Sequence, residues 1–114
     1  MSLIQRQIDH TYRVGKMILW FTAHAHLVVG KDWHRSAEEQ NRIFIHYPTR
    51  TKCDGYRVVS AHQNDLSTDF VLFDANYKPY DEWPTEIATA AHDYWEELGG
   101  KPIIPWDVGH FQSP

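Results

Sequence analysis

Two short segments hold the residue types that could do chemistry: Ser60-Ala61-His62-Gln63-Asn64-Asp65-Leu66-Ser67-Thr68-Asp69-Phe70 and Trp106-Asp107-Val108-Gly109-His110-Phe111. Between them they supply His62 and His110 and, besides Asp65, the acids Asp69 and Asp107 next to large aromatic residues. A catalytic zinc site uses three protein ligands, commonly His and carboxylate, and leaves a fourth position open, so His62, Asp69 and His110 would make a complete set. Asp107 then remains as a free acid or base. Standing three residues before His110, it can reach a water in the open position without occupying the metal. The plainer alternative is a loop histidine and a strand-edge aspartate that only turn the chain, with Asp107 merely orienting a histidine. Asp69 weighs against it, because the residues that follow are Phe70, Val71, Leu72 and Phe73, and a carboxylate there is costly unless a cation or donors compensate.

The elements that must position these groups can be read from periodicity. Ile4, Ile8, Tyr12, Gly15 and Leu19 recur at three- and four-residue spacing, which predicts an amphipathic helix over about 2–26 with those residues on the core. Leu27-Val28-Val29 and Gly30 read as a break and then a strand toward Trp33. Ser36 with Glu39 three positions on is a capping signature for a second helix that Pro48 must end, with Ala37, Gln40, Phe44 and Tyr47 inward. Residues 48–56 form a polar loop leading to a short strand, Tyr56 to Val59, and Thr68 to Phe73 is a second strand. His62 falls just before that strand and Asp69 within it.

Pro84 opens a third helix to Leu98, with Ile87, Ala91, Tyr94 or Trp95 and Leu98 inward, and Gly99-Gly100 caps it. Pro102 to Trp106 is a final extended segment that delivers Asp107 and His110. The order of elements predicts an α+β domain with a small, mainly antiparallel sheet and about three helices. Trp20 and Trp33 are expected in the core, and Trp83, Trp95 and Trp106 in the core or as cleft walls. His24 and His26, two apart, point in different directions on a helix and are expected to face solvent or cap it. His92 and Glu96 form an i,i+4 pair expected to be solvated.

Length and composition limit the function further. At 114 residues the chain is one domain, 1–114, too small for a catalytic unit plus a separate binding module. Apolar residues at 42% and aromatics at 14% predict a packed core. A net charge of -4 and a pI near 6.0 give no basic field for nucleic acid. The single cysteine, Cys53, excludes an internal disulfide. No apolar run is long enough to be a signal peptide core or a membrane span, so synthesis in the cytoplasm without a leader or anchor is expected. The zincin His-Glu-x-x-His pattern, a Gly-x-Ser-x-Gly elbow and a phosphate-binding glycine loop are all absent.

The run SAHQNDLSTDFVLFD resembles the Ser-x-His-x6-Asp motif of the zinc D-alanyl-D-alanine carboxypeptidase and L-alanyl-D-glutamate endopeptidase family, many of whose small members are phage endolysins. Asp107-Val108-Gly109-His110-Phe111 resembles its acid-x-x-His-aromatic ending. His34-Arg35-Ser36-Ala37-Glu38-Glu39-Gln40 is similar to its Arg-Ser/Thr-x-x-Glu-Gln stretch, and Tyr94-Trp95-Glu96-Glu97-Leu98-Gly99 to its Tyr-Trp-x-x-Leu-Gly helix end. The likeness runs from about Met17 to Phe111. It departs where many relatives have Gly or Arg at Asp65, Ala at Ser67, and a Trp-Gly-Gly loop in place of Lys101-Pro102-Ile103-Ile104-Pro105.

The resemblance implies a Hedgehog/DD-peptidase-like fold and a zinc metallopeptidase that cuts an amide in peptidoglycan stem peptides, with L-alanyl-D-glutamate the expected bond. It implies Zn2+ on His62, Asp69 and His110, Asp107 as acid and base, and Arg35 binding substrate or polarising its carbonyl. Ser60 is a turn residue or a substrate contact. The expected protein is a monomer that reaches the wall after release by a phage lysis system. The competing expectations are a D-alanyl-D-alanine carboxypeptidase, an amidase cutting the sugar-peptide junction, and a non-enzymatic module in which zinc is structural.

Overall fold

Helix α1, Leu3–Ala23, begins where Ser2 and Gln5 exchange hydrogen bonds. Ser2 Oγ accepts from the Gln5 N–H at 3.2 Å, and Gln5 Oε1 accepts from the Ser2 N–H at 2.9 Å, so two donors left over at the helix start are satisfied reciprocally. The computed structural model describes residues 1–114. The inner face of α1 is His10, Val14, Met17 and Phe21. The predicted stripe points the other way: Ile4, Ile8, Tyr12 and Leu19 are exposed, Tyr12 and Leu19 by 68% each. Both stripes fit a 3.6-residue period, and the periodicity alone does not choose between them. Packing does, because Met17 and Phe21 join Val14, Phe70, Ala91, Trp95 and Phe111 in one buried cluster.

Strand β1 is Leu27–Lys31, helix α2 is Ala37–His46, strand β2 is Ser67–Phe73, helix α3 is Thr85–Glu97 and strand β3 is His110–Gln112, with a 3-10 turn over Ala61–Asn64 just before β2. The three strands form one antiparallel sheet in the order β1-β2-β3, so the predicted α+β class with a small antiparallel sheet and three helices is what forms. Side chains alternate along β2: Thr68, Phe70 and Leu72 are buried, while Asp69, Val71 and Phe73 are half-buried on the other face. Phe70 and Phe111 face the helices. Asp69 and His110, one residue away on each strand, therefore share the opposite face.

Ser36 caps α2 as expected, its Oγ accepting from the Glu39 N–H at 3.1 Å, and Gln40 is fully buried while Tyr47 is exposed. The expected strand Tyr56 to Val59 does not form. Asp54 Oδ1 accepts from the N–H groups of Tyr56, Arg57 and Val58 at 2.8 to 3.0 Å, and one carboxylate oxygen collecting three successive donors curls the backbone away from a ladder. Pro84 precedes α3, and Gly99 at φ +96° ends it as expected.

The buried face of α3 is Ala88, Ala91, His92 and Trp95, so His92, expected to be solvated, is instead in the interior. Trp33 is exposed rather than core, and Trp106 is 86% exposed, while Trp95 lies in the core. No helix is long and apolar enough to cross a membrane.

Candidate metal centre

Asp69 and His110 are cross-strand partners in the β2–β3 register, with Asp69 Oδ1 3.0 Å from His110 Nδ1. His62 arrives from the 3-10 turn, placing its Nε2 3.4 Å from the same oxygen. One ligand atom from each of the three lies within 4.8 Å of the others. The three predicted ligands are thus brought together by a rigid sheet and the turn that feeds it.

The outer nitrogens of the two histidines decide which way the lone pairs point. His62 Nδ1 meets the main-chain carbonyl of Asp32, which can only accept, so Nδ1 carries the proton and Nε2 offers a lone pair toward Asp69. His110 Nε2 lies 3.0 Å from Gln112 Oε1, another acceptor, so Nε2 donates and Nδ1 offers its lone pair inward. In the neutral tautomers that these outer acceptors favour, two imidazole lone pairs and a carboxylate oxygen converge. Ligand histidines characteristically give the other N–H to a carbonyl or carboxylate in this way, and the set of two nitrogens and one oxygen fits a borderline divalent ion such as zinc.

The charges agree with that donor set. Burial works to raise the Asp69 carboxyl, but hydrogen bonds from the inward nitrogens of His110 and His62, when those nitrogens carry a proton instead of facing a cation, outweigh it and hold Asp69 well below the usual carboxylate range. Burial works to lower His110, and its bonds to Asp69 and Gln112 instead raise it in the metal-free protein. The same carboxylate that raises His110 would favour a cation placed between the three side chains.

Asp107 stands at the rim. Its Oδ2 is 3.9 Å from His110 Nδ1, and its side chain is 57% exposed. Partial burial raises its carboxyl above the ordinary value, the Asp69 charge adds to this, and His110 opposes it. Asp107 is therefore set apart from Asp69, one carboxylate pulled toward the anion and the other toward the acid.

Arg35 is tied to the same corner through its backbone, its N–H donating to the His62 carbonyl at 3.0 Å. Its guanidinium donates to Gln40 Oε1 at 2.8 Å and lies 3.6 Å from Asp32 Oδ2. Ser60 precedes the 3-10 turn and gives its N–H to Gln63 Oε1 at 3.0 Å, while its hydroxyl is buried without a partner.

Sequence reasoning misses Asp32, Gln112 and His92. Gln112 was within reach, since two residues after His110 on a strand is the same face. Asp32 holds φ at +52°, a conformation Asp tolerates better than most residues, but no spacing shows that its carbonyl meets a side chain 30 positions away. No protein-family model matches this chain, and no curated protein is significantly similar to it.

Proposed function

We propose that the chain is a zinc-dependent peptidase that hydrolyses an amide bond in peptidoglycan stem peptides, with L-alanyl-D-glutamate as the bond. The observation that carries the metal part is the convergence of one ligand atom each from His62, Asp69 and His110 within 4.8 Å of one another, with the outer nitrogen of each imidazole held by an oxygen acceptor. The substrate part is supported by the order of the four sequence motifs, which resembles that of the zinc carboxypeptidase and endopeptidase family.

His62, Asp69 and His110 would hold the ion. A bound Zn2+ supplies Lewis-acid chemistry, lowering the pKa of a water in its open position to about 7 and polarising a scissile carbonyl. Asp107, free of that donor set and partly open to solvent, takes the proton of the attacking water and returns it to the leaving nitrogen. Its raised carboxyl suits the interval in which it must keep that proton. Asp69 would not cycle, because a carboxylate engaged with the ion stays ionised. Arg35, anchored to the His62 segment, would steady a substrate carboxylate or carbonyl.

Digestion of purified wall by the zinc-loaded protein, followed by labelling of new amino termini, tests this reading. New D-glutamate amino termini are expected. Free D-alanine would instead assign carboxypeptidase activity, a released sugar-peptide junction would assign amidase activity, and no product with zinc bound would assign a binding module.

A further inference from the structure

We infer that His92 is a positioning residue for the turn from Asp107 to His110: it fixes the Val108 carbonyl and thereby the placement of both side chains. The inference rests on reading His110 as a cation ligand. His92 sits on α3, 16 residues before Val108, and is 2% exposed. Its Nε2 is 2.6 Å from the Val108 carbonyl, and since a carbonyl only accepts, the imidazole donates there.

The turn has three carbonyls to satisfy between the acid and the ligand. That of Asp107 accepts from the His110 N–H at 3.0 Å, and that of Gly109 from the Phe70 N–H at 2.8 Å. Both donors are main chain. The Val108 carbonyl has a side-chain donor, His92, so a helix otherwise devoted to the core governs the geometry of the turn.

The other nitrogen shows what the imidazole is for. His92 Nδ1 is buried with no partner, an arrangement that costs stability. The ring also stacks on Phe111, centroids 4.1 Å apart and planes 9° apart, a role phenylalanine could fill without an orphaned nitrogen. What the imidazole adds over a phenyl ring is the Nε2–H. Without that donor the Val108 carbonyl is free to rotate, and both Asp107 and His110 hang from the peptide units on either side of it.

Two variants separate the donor from the ring. His92→Phe keeps the ring and loses the donor, whereas His92→Gln loses the ring and keeps a donor at the same reach. The readouts are Zn2+ affinity, by competition with a chromophoric chelator, and hydrogen exchange of the His110 amide in the metal-free protein. In His92→Phe the amide is expected to exchange faster and Zn2+ affinity to fall about 10- to 100-fold, the usual effect of losing a group that orients a ligand. His92→Gln is expected to stay near wild type in both. The reverse ranking, with His92→Phe unchanged and His92→Gln impaired, would overturn the inference and leave His92 a packing residue. If His92→Phe does not fold, His92→Leu against His92→Gln carries the same contrast of donor absent and donor present. Wild-type protein that binds no Zn2+ would defeat the reading of the site, and the His110 amide would still decide the role of His92.

Discussion

Asp69 and His110 face each other across β2 and β3, Oδ1 to Nδ1 at 3.0 Å, and the pair exists because Gly109 lets the strands close. A Cβ on Gly109 would stand 2.5 Å from the Phe70 carbonyl oxygen, a main-chain atom that cannot step aside. Gly109→Ala is therefore expected to destabilise the fold by about 1–3 kcal/mol, as overpacking does, and to weaken metal binding with it. Urea denaturation and Zn2+ titration of the same variant check both. Unchanged stability would mean that the strands can part at no cost.

Asp107→Asn should fold, keep its metal and lose most activity. The amide preserves shape but cannot accept a proton, and a positioned acid-base group contributes about 100- to 10,000-fold. Zinc content and wall lysis measured on one preparation should separate. Near-wild-type lysis would reduce Asp107 to a residue that only orients His110.

His10 couples pH to stability. It is buried between Ser113 Oγ at 2.7 Å and Thr68 Oγ1 at 3.0 Å, and burial, helped by the charge of Arg13, lowers its pKa from 6.5 to about 4. Between those values the unfolded chain binds a proton that the folded chain refuses. The contribution of His10 is thus complete above about pH 6.5 and shrinks as pH falls toward about 4, by on the order of a few kcal/mol in all. His92 is also lowered, chiefly by burial, so the test is a difference: the denaturation midpoint of His10→Gln should fall less steeply with acid than that of the wild type. Parallel curves would contradict it.

The two faces of α1 should respond oppositely. Ile8→Lys and Leu19→Lys fall on exposed positions and should change stability by no more than about 0.5 kcal/mol. Met17→Ala empties a fully buried position and should cost about 2–5 kcal/mol. Thermal unfolding of the three variants decides between this face and the one that spacing suggests.

That contrast marks what the sequence could and could not reveal. Caps and breaks are local chemistry, so Ser36, Pro84 and Gly99 place helix ends correctly. The candidate metal group was legible because Asp69 is a carboxylate in an apolar strand and His62 falls just before it. The inner face of α1 was not, since two stripes of similar period compete and tertiary packing chooses, whereas on α3 Ala91 and Trp95 are buried as the spacing suggests and Ala88 and His92 join them. His92 looked like half of a surface ion pair because its carbonyl partner lies 16 residues away. The strand expected at Tyr56 to Val59 failed on one carboxylate, Asp54, whose capture of three backbone donors is invisible to β propensity.

The measurement that bears most directly on the account is the zinc content of the purified chain after loading and dialysis, taken beside the His62→Ala and His110→Ala double variant. A single site built from His62, Asp69 and His110 predicts one Zn2+ per wild-type chain and none retained by the double variant. No stoichiometric zinc in the wild type, or one equivalent surviving in the double variant, would contradict it.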